Sequence, residues 1–193
     1  MNSKTKVAIF VSGKGSNALN IIEYFKTSSC VEISLLLSNK EESAALEKAQ
    51  NLGVETVVYN NRWFKKKAIV LNFLIDKEIQ FIVLAGFLRQ IPLEIVQYYH
   101  LKMINIHPSL LPKYGGKGMY GNYVHEAVIE AQEKESGITI HYVSELYDQG
   151  SIILQEKLTV DKEDTSETLA QKVQQLEHQY YPVTIKKLLC NGL

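Results

Sequence analysis

Along the chain, short apolar runs of strand length alternate with stretches whose apolar positions recur every three or four residues. Residues 7–11, 31–37, 54–59, 81–85 and 103–107 are rich in β-branched and aromatic side chains, the pattern of strands covered on both faces. Between them, residues 17–25 carry Leu19, Ile22 and Phe25 at helical spacing, residues 43–51 are closed by Gly53, and 63–78 and 92–99 read as further helices. This alternation predicts an α/β fold with a doubly wound, mostly parallel sheet and right-handed crossovers. After residue 112 the period changes: a helix over 123–133, an alternating strand over 137–143, a strand over 152–160 and a long helix over 166–189 bring the sheet to about seven strands. Ser16 or Asn17 is the expected N-cap of the first helix and Asn122 of the fifth, while Thr165 with Thr168, or Ser166 with Leu169, would cap the last. Pro182 should kink that last helix.

Polar groups gather where the strands end, which is where open α/β sheets place their chemistry. Asn105 and His107 lie two apart in a strand that stops at Pro108, so both side chains leave the same face while Ile104 and Ile106 point to the other. The first strand runs into Ser12-Gly-Lys-Gly-Ser-Asn17, a glycine turn opening a helix whose free amides suit an anion such as phosphate. The same turn satisfies the dinucleotide pattern over Gly13 to Ala18, but the second strand ends in Ser38-Asn39, where a ribose-binding carboxylate would be needed; Glu41 and Glu42 come only later. A tight turn with no ligand is the plain alternative. Taken singly, Lys65 to Lys67 read as a solvated face, Arg89 as a surface residue, His125 as packing and Asp148 as a turn former. Residues 113–121 hold four glycines in nine positions, too many for a helix or strand interior, and are expected to form a loop that closes over substrate as a lid.

Composition narrows the classes. With 193 residues and 46% hydrophobic content the chain fits one domain, and 21 basic against 21 acidic residues give no net charge to grip nucleic acid or an anionic membrane. No run approaches the roughly 20 apolar residues that span a bilayer, and the opening residues lack a signal-peptide core, so a cytoplasmic location is expected. Cys30 and Cys190 are far apart and in no C-x-x-C pair, which predicts two reduced, packed thiols. The five histidines show no metal-ligand spacing, so no metal is expected.

Taken together, Ser12-Gly-Lys-Gly-Ser-Asn17, Leu84-Ala-Gly-Phe-Leu-Arg89, Asn105-Ile-His-Pro-Ser-Leu-Leu-Pro-Lys-Tyr114, Gly137-Ile-Thr-Ile-His141, Asp148-Gln-Gly150, Glu177-His178 and Tyr181-Pro182 resemble, in order, the motifs of the phosphoribosylglycinamide formyltransferase family. The resemblance implies a single formyltransferase domain of Rossmann-like fold over 1–193. It also implies transfer of formyl from 10-formyltetrahydrofolate to the amine of 5-phosphoribosylglycinamide in purine synthesis. Asn105 and His107 would donate hydrogen bonds to the formyl oxygen. Asp148 would favour the His107 imidazolium and help move the amine proton. Gly15, Ser16 and Asn17 would cradle the phosphate, and Gln174 and Glu177 the rest of that substrate. The folate would lie against Leu88, Arg89, Gln90 and Ile91, Asn105, and the segment Ser144, Glu145, Leu146, Tyr147, Asp148, with Lys66 as the basic contact. The implied partners are these small molecules, with no nucleic acid or membrane and a monomer or homodimer left open. The sequence departs from the family pattern in its longer glycine loop and in Gln149, where glycine is usual. The competing readings are related folate formyltransferases, which typically carry a further domain, a nicotinamide-dependent oxidoreductase, and a non-catalytic phosphate binder.

Overall fold

The structure, a computed structural model, describes residues 3–59 and 67–190. The strands are β1 (Thr5–Val11), β2 (Val31–Ser38), β3 (Glu55–Val58), β4 (Phe81–Leu84), β5 (Met103–His107), β6 (Glu135–Tyr142) and β7 (Ile152–Thr159). The helices are α1 (Ser16–Phe25), α2 (Ala44–Asn51), α3 (Lys67–Asp76), α4 (Leu93–Tyr98), α5 (Asn122–Glu130) and α6 (Ser166–Cys190). One sheet runs β3-β2-β1-β4-β5-β6-β7, parallel through β5 and antiparallel beyond it. The expected doubly wound α/β architecture is therefore present. Residues 60–66, including Lys66 and the start of the helix expected over 63–78, lie outside the described residues.

Strand alternation sorts the core into two layers. Val7, Ile9 and Val11 join Ile104 and Ile106 against α1 and α6, whereas Ala8 and Phe10 join Met103 on the α3 and α4 side. Near-continuous burial along β1 is what its uninterrupted apolar run requires. Tyr181, fully buried, anchors α6 to the sheet by donating its hydroxyl to the Leu84 carbonyl at 2.9 Å and the Ile104 carbonyl at 3.3 Å.

The order reverses between β1 and β4, and the crevice at their carboxyl ends is the topological switch point. Ser12 ties the two strand ends together: its N–H reaches the Gly86 carbonyl at 3.1 Å and its hydroxyl accepts the Leu88 N–H at 2.9 Å. Beside β5, the pairing of β6 with β7 slips by one residue between Ile140 and His141, a β-bulge level with the end of β5.

Three local expectations are revised. The N-cap of α1 is Gly15, in the left-handed conformation at φ 68° with no side-chain cap, and the N-cap of α5 is Gly121 rather than Asn122. Thr165 and Thr168 do cap α6 reciprocally, each hydroxyl accepting the other's N–H at 3.3 and 2.9 Å. The third revision concerns the cysteines: Cys30, just ahead of β2, and Cys190, at the end of α6, form a disulfide with 5.6 Å between Cα atoms. Separation in sequence hid the pair. α6 runs back along the sheet and brings its last turn to the edge of β2, across 160 residues.

Candidate functional site

A cavity of about 690 Å³ opens at the switch point, within the range of small-molecule sites. Its walls are the exit loop of β4, the end of β5, the glycine loop, the segment from Val143 to Asp148, and the face of α6 bearing Ala170, Val173, Gln174 and Glu177. Leu88, Arg89, Gln90, Ile91, Asn105, His107, Ser144, Glu145, Leu146, Tyr147 and Asp148 all line it, as do Asn17, Gln174 and Glu177. Gly15 and Ser16 stand beside it at the head of α1, where the Ser16 hydroxyl accepts a hydrogen bond from Gln174 Nε2 at 3.0 Å. The sequence-expected residues, Lys66 excepted, thus converge on one place.

At one wall Asp148 lies between two histidines. Its Oδ2 is 3.6 Å from His107 Nδ1 and accepts the Gly116 N–H at 2.8 Å, while its Oδ1 is 3.6 Å from His141 Nε2. Burial pushes the Asp148 carboxyl up, but the neighbouring His141 and His107 rings and the Gly116 amide outweigh it and hold the group below the usual aspartate range. Its backbone is left-handed, φ 55°, a conformation aspartate tolerates better than most residues. Gly150 makes the return possible: a side chain there would be driven into the Tyr142 carbonyl oxygen.

His107 Nε2 donates to the Tyr114 carbonyl at 2.7 Å, so both ring nitrogens face oxygen acceptors. Asp148 does favour the imidazolium as expected, yet burial is the larger effect and the imidazole pKa falls below its ordinary value. Neutral His107, donating from Nε2, keeps the Nδ1 lone pair on the Asp148 side.

His141 belongs to this group; it closes the Gly137–His141 motif, but nothing in the sequence assigns it a role in the site. It pairs across the sheet with Asn105. With the proton on Nδ1, which faces the Tyr142 carbonyl at 2.8 Å, Nε2 accepts from Asn105 Nδ2 at 3.2 Å. That contact sets which way the Asn105 amide faces and leaves its second N–H available. The alternation of residues 137–143 marked His141 as one face of a strand, but only the pairing of β5 with β6 puts it beside Asn105.

At the other wall, Asn17 Nδ2 donates to Glu177 Oε2 at 2.8 Å. Burial raises the Glu177 carboxyl pKa, and the Asn17 bond only partly offsets this. Asn17 Oδ1 is buried without a partner, and the α1 amides carry no side-chain cap, so this corner presents unmet donors and an unmet acceptor.

His125, read from the sequence as packing, is indeed 5% exposed on α5, but it also lines the cavity and has no partner at Nδ1. Burial and the nearby His107 push it down to about 4. An unfolded histidine takes its proton near 6.5, so between pH 6.5 and about 4 the unfolded chain binds more protons than the folded one. Stability should therefore fall as pH drops through that window, with His107 acting in the same direction and Asp148 contributing only at lower pH, as its depressed pKa is approached. Urea melts at pH 7 and pH 5 will show this loss, and it will shrink in His125→Gln. Equal slopes in the two proteins would contradict the assignment.

Among the described residues no group of histidine, cysteine and acidic side chains forms a metal cluster, and no helix is long and apolar enough to cross a membrane.

Residues 5–185 match the model of the family described as "Formyl transferase". The chain is 40% identical over 192 residues to a chloroplastic phosphoribosylglycinamide formyltransferase of Vigna unguiculata, a match covering 97% of this chain and 61% of that one. Phosphoribosylglycinamide formyltransferase of Bacillus subtilis is 36% identical over 189 residues, covering 95% and 94%. A crystal structure of the phosphoribosylglycinamide formyltransferase from Bacillus halodurans is similar with TM-score 0.88 and 37% identity over 97% of each chain. The chain spans about three fifths of the length of the plant relatives it matches.

Proposed function

Since the chain belongs to the formyl transferase family, in the branch of the phosphoribosylglycinamide formyltransferases, we propose that it transfers formyl from 10-formyltetrahydrofolate to the amine of 5-phosphoribosylglycinamide. The observation that carries this reading is the convergence of Asn105, His107 and Asp148 in one cavity with the open head of α1 beside it. The cavity suits two ligands. Leu88 to Ile91 and Ser144 to Asp148 form a long wall for a flat donor, and the unpartnered Asn17 Oδ1 marks the opposite corner for the amine substrate. The folate supplies the formyl group. One domain over 1–193, small-molecule partners and a cytoplasmic location belong to the same reading.

The residues divide the work by charge. When the amine lone pair forms its bond to the formyl carbon, the carbonyl electrons move onto oxygen, and the free Asn105 N–H meets that charge. The amine becomes cationic and must lose a proton before the bond to the folate nitrogen breaks. His107 Nδ1, backed by the Asp148 carboxylate, accepts that proton, and its return to the leaving nitrogen completes the balance. His107 thus serves the proton rather than the oxygen, because Nε2 is already committed to Tyr114.

The test is direct: protein, phosphoribosylglycinamide and 10-formyltetrahydrofolate are mixed and the folate product is followed by absorbance. Wild type is expected to turn over, and Asn105→Ala to lose on the order of 10²–10³ in kcat, or about 3–4 kcal/mol of barrier. No product from wild type would sink the reading; a full rate in Asn105→Ala would remove the role given to that amide.

A further inference from the structure

The longer glycine loop is the part of this chain that the family resemblance leaves without a task. It lines the cavity from Gly116 to Asn122 and brings in one charge, Lys117. Gly116 and Gly118 flank that lysine with φ 92° and 94°, left-handed values that place it at the crest of a tight turn. Lys117 is exposed and has no hydrogen bond or ion pair with any described residue. Arg89 and Lys117 are the only permanent cations lining the cavity among the described residues.

Arg89 belongs to the long wall, where its charge is felt by the Tyr147 phenol. The glycine loop begins on Asp148 through the Gly116 amide and leads into α5, which packs against α6. Gln174 of α6 in turn holds Ser16 at the head of α1. Lys117 lines the same cavity as Asn17, Gln174 and Glu177 of the corner formed by α1 and α6. That corner offers amides, a hydroxyl, the Gln174 amide, the unpartnered Asn17 oxygen and the Glu177 carboxyl, whose pKa burial raises, and none of these is a cation. A phosphate monoester carries nearly two charges, and a helix end supplies only about half a positive charge.

We propose that Lys117, carried on the crest of the glycine loop, is the cationic partner of the phosphate of the amine substrate. The inference rests on the function proposed above and gives the unusual loop a specific role: it adds a cation from the cavity wall to the substrate site. The flanking glycines let the lysine swing onto the phosphate after the substrate has entered. The folate wall keeps its own cation in Arg89.

Lys117→Met separates this role from the reaction itself. With phosphoribosylglycinamide, KM is expected to rise about 10- to 100-fold with kcat changed far less, as for loss of a charge-assisted hydrogen bond. The donor KM stays put and Lys117→Arg recovers most of the loss. With glycinamide riboside, which lacks the phosphate, wild type and Lys117→Met should behave alike. Binding of ribose 5-phosphate, followed by calorimetry, should weaken by a similar factor in Lys117→Met and gives a readout even if wild type shows no turnover. An unchanged KM and unchanged ribose 5-phosphate affinity would overturn the inference while leaving formyl transfer intact. A rise confined to the donor KM would overturn it too, assigning Lys117 to the folate end.

Discussion

Asp148→Asn is expected to fold and to bind both substrates, yet to turn over about 10²–10⁴-fold more slowly, the range spanned by a positioned acid–base group. Asparagine has the same shape, accepts the Gly116 N–H through its own oxygen, and tolerates the left-handed backbone at φ 55° as well as aspartate does. What disappears is the negative charge between His107 and His141. Without it, the one influence that most raises the His107 pKa is gone, and a proton taken from the amine has no stable place to rest. Asp148→Ala would mix this loss with a disordered loop, so the amide variant is the cleaner probe. Single-turnover rates report the chemistry, and a thermal melt confirms that the fold survives. A variant with more than a third of the wild-type rate would show that Asp148 shapes the loop and takes no part in proton movement.

Opening the Cys30–Cys190 disulfide should cost about 2–5 kcal/mol of stability, because the link closes a very long loop and so restricts the unfolded chain most. The effect should not be purely global. Cys190 is in the last turn of α6, whose middle carries Gln174 and Glu177, and α6 is otherwise pinned by Tyr181 and by Asn20, which donates to the His178 carbonyl at 2.8 Å. Those two anchors lie near the centre of the helix, so reduction should free its end first while the cavity wall persists. Urea melts of the oxidised protein, the reduced protein and Cys190→Ser measure the cost, with thiol alkylation confirming each redox state. Superimposable transitions would show that the packing around the pair already supplies all the stability there is. In a reducing compartment the stability that counts is the lower one.

Much of this could be read from residue order, because buried parallel strands need unbroken apolar runs and helices need a stripe. The runs at Val7 and Phe81 leave no other role for themselves, and the strands form where those runs lie. The site was legible wherever neighbours in sequence are neighbours in function: Asn105 with His107, Gly15 to Asn17, Ser144 to Asp148. It was not legible where it depends on which strands pair. His141 reaches Asn105 only through the antiparallel ladder of β5 with β6, and Cys190 reaches Cys30 only through the direction of α6. The loop accommodates Gln149 in place of glycine for a local reason: the left-handed position there is Asp148, Gln149 is exposed, and the position that admits no side chain is Gly150.

The β-bulge beside His141 carries a further implication. The slip between Ile140 and His141 puts one extra residue into β7 level with the reacting centre, and the strand pair twists there. The placement of Asn105 and His141 therefore depends in part on spacing in a strand that contributes no side chain to the cavity. A relative could keep Asn105, His107, His141 and Asp148 letter for letter, lack that one residue of β7, and hold the four groups in a geometry that no longer speaks to formyl chemistry.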